Sequence, residues 1–187
     1  MDDDVELLER WCDGDAAAGN ELFSRHFHAV LRVFRYKVVH ADDLVQRTFL
    51  ACIEHREAIR DARRFRAYLL RIARNELYAH LRSRAGRTDL DTGVTSLNEL
   101  GESPSAAVGR AQEHGRLLAA LRRIPLDYQV ALELFYWEGL TGDELSLVLD
   151  VPVGTVRSRL RLGRALLREQ LGEREPTRLA RVIASGR

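Results

Sequence analysis

Apolar residues recur along most of this chain at intervals of three and four, the repeat that keeps one face of an α-helix apolar, and no stretch alternates as a strand would. The repeat predicts helices over residues 4–12, about 16–37, 42–57 and 66–84. Leu22, Phe23, Val30, Leu31, Val33 and Phe34 give the second its apolar face. Leu44, Val45, Thr48, Phe49, Cys52 and Ile53 do so for the third, and Tyr68, Leu69, Ile72, Ala73, Leu77 and Leu81 for the fourth. The pattern then lapses. Thr88 to Ser105 is rich in Gly, Ser, Thr and Asp, and its only charges are Asp89, Asp91, Glu99 and Glu102, the composition of a linker. Helical spacing resumes over 106–123 with Leu117, Leu118, Leu121 and Ile124, breaks at Pro125, and runs again from 126 to 138, where Gly139 offers a stop. The fold class that follows is all-α: two small helical domains joined by a flexible linker. A tail follows from residue 172, with a short helix expected near 178–184.

The stretch from Leu140 to Leu160 is the most specific. Thr141 stands three residues before Glu144, the spacing of a capping box, and Leu145, Val148 and Leu149 form one apolar stripe. Asp150-Val151 makes a turn in which Asp tolerates left-handed backbone. Pro152 suits the first turn of a second helix, in which Val153, Val156 and Leu160 point inward and Thr155, Arg157, Ser158, Arg159 and Arg161 point out. This is a helix-turn-helix, its second helix shaped for a major groove. Residues 152–168 contain no acid, whereas a face built for solubility intersperses both signs. Gly154 costs about 1 kcal/mol relative to Ala in a helix, which suggests close approach of a phosphate to the positive helix end.

Charge sharpens this picture. The net charge of +1 conceals a division. Residues 1–43 hold ten acids against five bases, a net of −5, and residues 56–87 hold ten bases against three acids, a net of +7. Surfaces so segregated imply separate partners, one of them nucleic acid. Phe65, Tyr68 and Tyr78 interleave with the arginines of the basic stretch, the composition of a pocket for unstacked bases, although Phe65 and Tyr68 fit a buried stripe equally well. Lys37 is the only lysine. Cys12 and Cys52 have neither metal-ligand nor redox spacing and read as small buried residues of a reducing cytosol. His26 and His28 are too close in sequence to share a helix face, so no metal site is expected, and no cofactor. There is neither a signal peptide nor an apolar run able to cross a bilayer, and the expected location is cytoplasmic. No paired carboxylates, nucleophile–base set or phosphate loop appears, which argues against an enzyme.

Three segments together resemble a known family. Asp42-Asp-Leu-Val-Gln-Arg-Thr-Phe-Leu-Ala-Cys-Ile53 is similar to region 2.2 of bacterial sigma-70 factors, residues 65–84 to regions 2.3 and 2.4, and residues 117–171 to region 4, with Val151-Pro-Val-Gly-Thr-Val-Arg-Ser-Arg-Leu160 the strongest match. Two such domains on a short linker resemble the extracytoplasmic-function group. The resemblance implies a region 2 domain over 1–87, an acidic linker over 88–105, a region 4 domain over 106–171 and a tail over 172–187. It implies a subunit that binds core RNA polymerase and directs promoter recognition and melting. Asp43, Gln46 and Phe49 would dock on the β′ clamp helices, and the apolar face of 128–137 on the β flap. Arg60, Arg63, Arg64, Tyr68, Arg74, Asn75, Arg82 and Arg84 would serve the −10 element and melting. Thr155, Arg157, Ser158, Arg161 and Arg164 would read the −35 element. An anti-sigma protein is a further expected partner. Some residues depart from the family: Arg47 stands where an acid is usual, Tyr68 where Trp is common, and Asp150 where Gly is frequent. The alternative from another class is a stand-alone helix-turn-helix regulator binding duplex DNA without polymerase, which leaves 42–84 unexplained; a sigma-like adaptor that has lost melting is a third reading.

Overall fold

The computed structural model describes residues 2–56, 59, 64–86, 90–100 and 112–172. These residues form α1 (Asp2–Cys12), α2 (Ala16–Phe34), α3 (Ala41–Glu54), α4 (Phe65–Ala85), α5 (Gln112–Leu121), α6 (Leu126–Tyr136), α7 (Gly142–Leu149) and α8 (Val153–Leu171). The helices fall where the apolar repeat places them, with ends displaced by a few residues, as fraying and capping allow. Within the described residues the only β pairing is an isolated bridge between Ser96 and Pro125. The expected helix at 178–184, the tail beyond Gly172, and residues 101–111 lie outside the described residues.

Local chemistry fixes several helix ends. Asp15 caps α2, its carboxylate accepting from the Ala17 and Ala18 amides at 2.9 and 3.1 Å. Thr141 and Glu144 form the reciprocal box at the start of α7: the Glu144 amide donates to Thr141 Oγ1 at 3.3 Å and the Thr141 amide to Glu144 Oε2 at 2.7 Å. Gly19 has a packing reason to be glycine, because a Cβ there would overlap the Trp11 ring.

In the first module α1 packs on α2, and α4 on both α2 and α3. Leu22, Val30, Phe34, Leu44, Leu69, Leu70 and Leu77 are buried here, each such side chain contributing about 1.5–3 kcal/mol. His26 is buried beside Phe65, with Nε2 2.9 Å from Asp4 Oδ2. Loss of solvent holds the imidazole below its ordinary 6.5, outweighing the pull of Asp4 the other way. The unfolded chain therefore takes up this proton at higher pH than the folded one, so this contribution to stability is present above 6.5 and falls as the solution is acidified through that value. Urea unfolding at about pH 7 and about pH 5.5 tests this: His26→Gln is expected to lose less stability on acidification than the parent, and an equal loss in both refutes the assignment.

The second module stacks α6 and α5 on α8, with α7 on α8. Gly163 lets α8 approach α6, since a Cβ there would lie 3.1 Å from Tyr128 Cβ and 3.3 Å from Leu132. The modules also touch. α4 also packs on α7, and the buried apolar residues of both modules join in one cluster. Part of the segment read as linker takes part. Leu97 is buried, the Leu126 and Asp127 amides donate to the Thr95 and Thr92 carbonyls, both at 3.0 Å, and the Asn98 amide donates to the Arg122 carbonyl at 3.0 Å. Residues 90–100 are thus bound to the start of α6, because their backbone groups find partners there that composition does not reveal.

Candidate functional site

Three surfaces carry the residues singled out by the sequence. The first is the helix-turn-helix. Asp150 ends α7 with φ 55°, the one described non-glycine residue in the left-handed region. This is why a short polar side chain or glycine suits the position. Val156 and Leu160 are buried beneath the turn while Val153 is half-buried. Thr155, Arg157, Ser158 and Arg161 are exposed on the outer face of α8. The Ser158 hydroxyl donates to the Gly154 carbonyl of its own helix at 3.1 Å. A Cβ at Gly154 would meet nothing within 4 Å, so no internal packing demands glycine there. Arg164 is half-buried, with Nη1 3.5 Å from the Tyr136 hydroxyl.

Arg159 corrects the sequence reading. Rather than pointing out, it turns back to pair with Asp127 Oδ2 at 2.5 Å, with side-chain exposures of 18% and 9%. Asp127 Oδ1 in turn accepts from the Tyr78 hydroxyl at 2.8 Å. Helical periodicity alone could not place Arg159, since the carboxylate that attracts it belongs to another helix.

The second surface is the basic outer side of α4. Arg64, Asn75, Arg82 and Arg84 are exposed, and Tyr68 and Arg74 half-buried. Arg74 lies over the Tyr78 ring, 4.5 Å from its centre, and donates to Asn75 Oδ1 at 3.1 Å. Partial burial raises the Tyr68 phenol above its ordinary value, so it remains a neutral donor. Of the aromatics read as a stacking set, only Tyr68 is accessible: Phe65 is core, and Tyr78 is buried with its hydroxyl committed to Asp127. Arg60 and Arg63 lie outside the described residues.

The third surface spans α2 and α3. Asp43 and Gln46 are exposed and Phe49 is half-buried. Phe49 packs 4.9 Å from Phe23 and stacks 6.4 Å from Phe27, and Phe27, Leu50 and Ile53 are the exposed apolar residues beside it. A row of apolar side chains edged by Asp43 and Gln46 is the kind of patch that docks a protein. Arg47, the departure from the family, reaches Glu76 on α4 at 3.3 Å; its charge is answered within the chain. The two cysteines differ: Cys52 is buried, its thiol pushed up to about 12 by desolvation, whereas Cys12 is exposed, contrary to expectation. No group of His, Cys, Asp and Glu among the described residues gathers as a metal site, and none of their helices is long and apolar enough to cross a membrane.

The profile of sigma-70 region 2 matches residues 21–87 and that of sigma-70 region 4 matches 114–167. The chain is 30% identical over 174 residues to the RNA polymerase sigma-H factor of Pseudomonas aeruginosa, spanning 86% of this chain and 89% of that one. It is 31% identical over 159 residues to the ECF RNA polymerase sigma factor BldN of Streptomyces coelicolor, spanning 82% of this chain and 60% of that one. In fold it is similar to the sigma factor RpoE solved with the anti-sigma factor NepR from Bartonella quintana, with a TM-score of 0.60 and 22% identity over 82% of this chain and 98% of that one.

Proposed function

We propose a division of labour for this chain, which belongs to the sigma-70 family of RNA polymerase sigma factors and, within it, to the extracytoplasmic-function group. It binds core RNA polymerase and directs promoter recognition and DNA melting in transcription initiation. In our reading residues 1–87 are the region 2 domain, 88–105 the acidic linker, 106–171 the region 4 domain and 172–187 a tail. Thr155, Arg157, Ser158, Arg161 and Arg164 read the −35 element from α8. Arg60, Arg63, Arg64, Tyr68, Arg74, Asn75, Arg82 and Arg84 hold the −10 element and the melted strand, with Tyr68 the accessible ring for stacking. Asp43, Gln46 and Phe49 dock on the β′ clamp helices. The chain works in the cytoplasm beside the polymerase, performs no catalysis itself, and is open to control by an anti-sigma factor such as the one that holds the similarly folded RpoE.

The observation that supports this reading over a stand-alone regulator is the presence, in one chain, of an outward-facing recognition helix, a separate basic helix, and an apolar row on α2 and α3 in which Phe27, Leu50 and Ile53 are exposed. A duplex-binding regulator needs only the first. The test mixes the purified chain with core RNA polymerase and a pool of promoter fragments and looks for run-off transcripts. Transcripts from a discrete set of fragments are the expected result. Duplex binding without polymerase, and no transcripts, would favour the regulator; polymerase binding with no transcripts would favour the adaptor.

A further inference from the structure

We infer that Trp11 of α1 is a positioning residue for the polymerase-docking surface: it holds Phe23, and through Phe23 the ring of Phe49, in the orientation that docks. This rests on the reading of Phe49 as a contact to the β′ clamp helices proposed above. Trp11 and Gly19 stand before residue 21, where the region 2 profile begins to match, so that match assigns neither of them a role.

The Trp11 ring is buried, 6% exposed, and is fixed from two sides. On one side α2 comes so close that a Cβ at Gly19 would overlap Trp11 Cδ1 and lie 2.7 Å from Nε1; glycine leaves the ring its place. On the other, Arg56 beyond α3 lays its guanidinium 5.7 Å from the ring centre and donates from Nη1 to the Trp11 carbonyl at 3.2 Å. The Gly14 amide donates to the same carbonyl at 3.1 Å. Held in this way, the ring meets Phe23 edge-on, with centroids 5.0 Å apart and planes at 72°, a favoured aromatic geometry. Phe23 in turn lies 4.9 Å from Phe49, and Phe49 stacks 6.4 Å from Phe27.

The front of this row is open. Asn20, Phe23, Ser24, Phe27 and Phe49 line a hollow of about 530 Å³. Phe23 and Phe49 are half-buried and Phe27 is exposed. A ring on the wall of an open hollow keeps one rotamer by what packs behind it, and Trp11 packs behind Phe23. A ring already held in its docking orientation gives up no rotamer freedom when the partner arrives, whereas a loosened ring must be ordered at that moment. Ordering one such ring weakens binding about 3- to 10-fold. Trp11, being buried, acts on the partner only through this row, so its effect must shrink once Phe49 is gone.

The test measures affinity of the full chain for core RNA polymerase, by competition against a fluorescently labelled parent, with urea unfolding of each variant alongside. Trp11→Leu and Gly19→Ala are each expected to bind about 3- to 10-fold more weakly than the parent. Trp11→Phe, which keeps an aromatic edge against Phe23, should stay within about twofold. Gly19→Ala is the sharper variant, because alanine raises the helix propensity of α2 while it displaces the ring. In a Phe49→Ala background Trp11→Leu and Gly19→Ala should each change affinity by less than about twofold, the coupling of residues that act as a unit. Equal losses in both backgrounds mark a merely structural role and overturn the inference. Phe49→Ala separates the inference from its premise. If Phe49→Ala binds polymerase as tightly as the parent, the docking reading falls and the positioning role with it. If Phe49→Ala binds weakly while Trp11→Leu and Gly19→Ala bind as the parent does, the positioning role alone is overturned. Should Trp11→Leu not fold, Gly19→Ala in the two backgrounds decides by the same outcomes.

Discussion

Lys37→Ala is expected to destabilise the chain by about 3–5 kcal/mol, the cost of leaving one member of a buried ion pair without the other. Lys37 is 1% exposed and its ammonium donates to Glu133 Oε2. Among the described residues Glu133 also accepts from Gln129 Nε2 on Oε1 at 2.8 Å, which cannot offset a buried carboxylate that has lost its cation. The loss is electrostatic rather than steric, so Lys37→Met, which preserves most of the aliphatic stem, should cost nearly as much as Lys37→Ala. Adding Glu133→Leu to Lys37→Met removes the orphaned charge and should recover stability to about the parent level or up to about 4 kcal/mol above it. Urea midpoints for the parent, both single variants and the double variant close the cycle. A Lys37→Ala cost below about 1 kcal/mol would show that Glu133 finds solvent or a proton, and that the pair is not the anchor its burial suggests.

How much of this was legible in the sequence follows from how far each partner lies along the chain. The helices, the capping box at Thr141 and Glu144, the left-handed Asp150 and the inward Val156 and Leu160 were all readable, because each depends on residues within a few positions of itself. The second helix of the helix-turn-helix, α8, was readable for the same reason. Arg159, Tyr78 and Lys37 were not. Each is defined by an acid on α6, and Tyr78 and Lys37 lie 49 and 96 residues from theirs. Periodicity assigns a side chain to the inner or outer face of its own helix and is silent on a second helix covering the outer face. Tyr78 meets such a cover where Asp127 of α6 accepts its hydroxyl, so a ring that belongs by composition to a stacking pocket is spent as a buried donor. Arg47 shows the converse: a charge reversal that looks disruptive on α3 meets Glu76 on α4, a compensation invisible until the helices are paired. The docking of residues 90–100 was unreadable for a related reason. Its bonds run mainly through backbone amides and carbonyls, which every residue carries alike.

Arg161→Ala should weaken discrimination between a specific and a scrambled −35 duplex by about 1–3 kcal/mol, about 5- to 150-fold, when assayed as holoenzyme. The structure sorts the arginines of α8 into different jobs. Arg157 and Arg161 are one helical turn apart and exposed, so in the proposed reading both face the same groove, whereas Arg159 is held by Asp127 and Arg164 is half-buried toward Tyr136. A bidentate arginine on a guanine edge is worth that much against the wrong base, and a phosphate contact is worth a similar loss on every sequence. The two roles separate on salt. If Arg161 reads a base, its loss lowers the specific-to-scrambled ratio and leaves the salt slope nearly unchanged; if it holds a phosphate, both duplexes weaken together and the slope falls by about 1. Arg159→Ala supplies the contrast. It strips a charge partner from the buried Asp127, so its effect should fall on the stability of the second module while the specific-to-scrambled ratio of the folded protein is retained. Arg161→Ala binding specific and scrambled duplexes in the parent's ratio, with Arg159→Ala losing that ratio, would reverse the assignment of the two side chains and place the groove contacts on the opposite flank of α8.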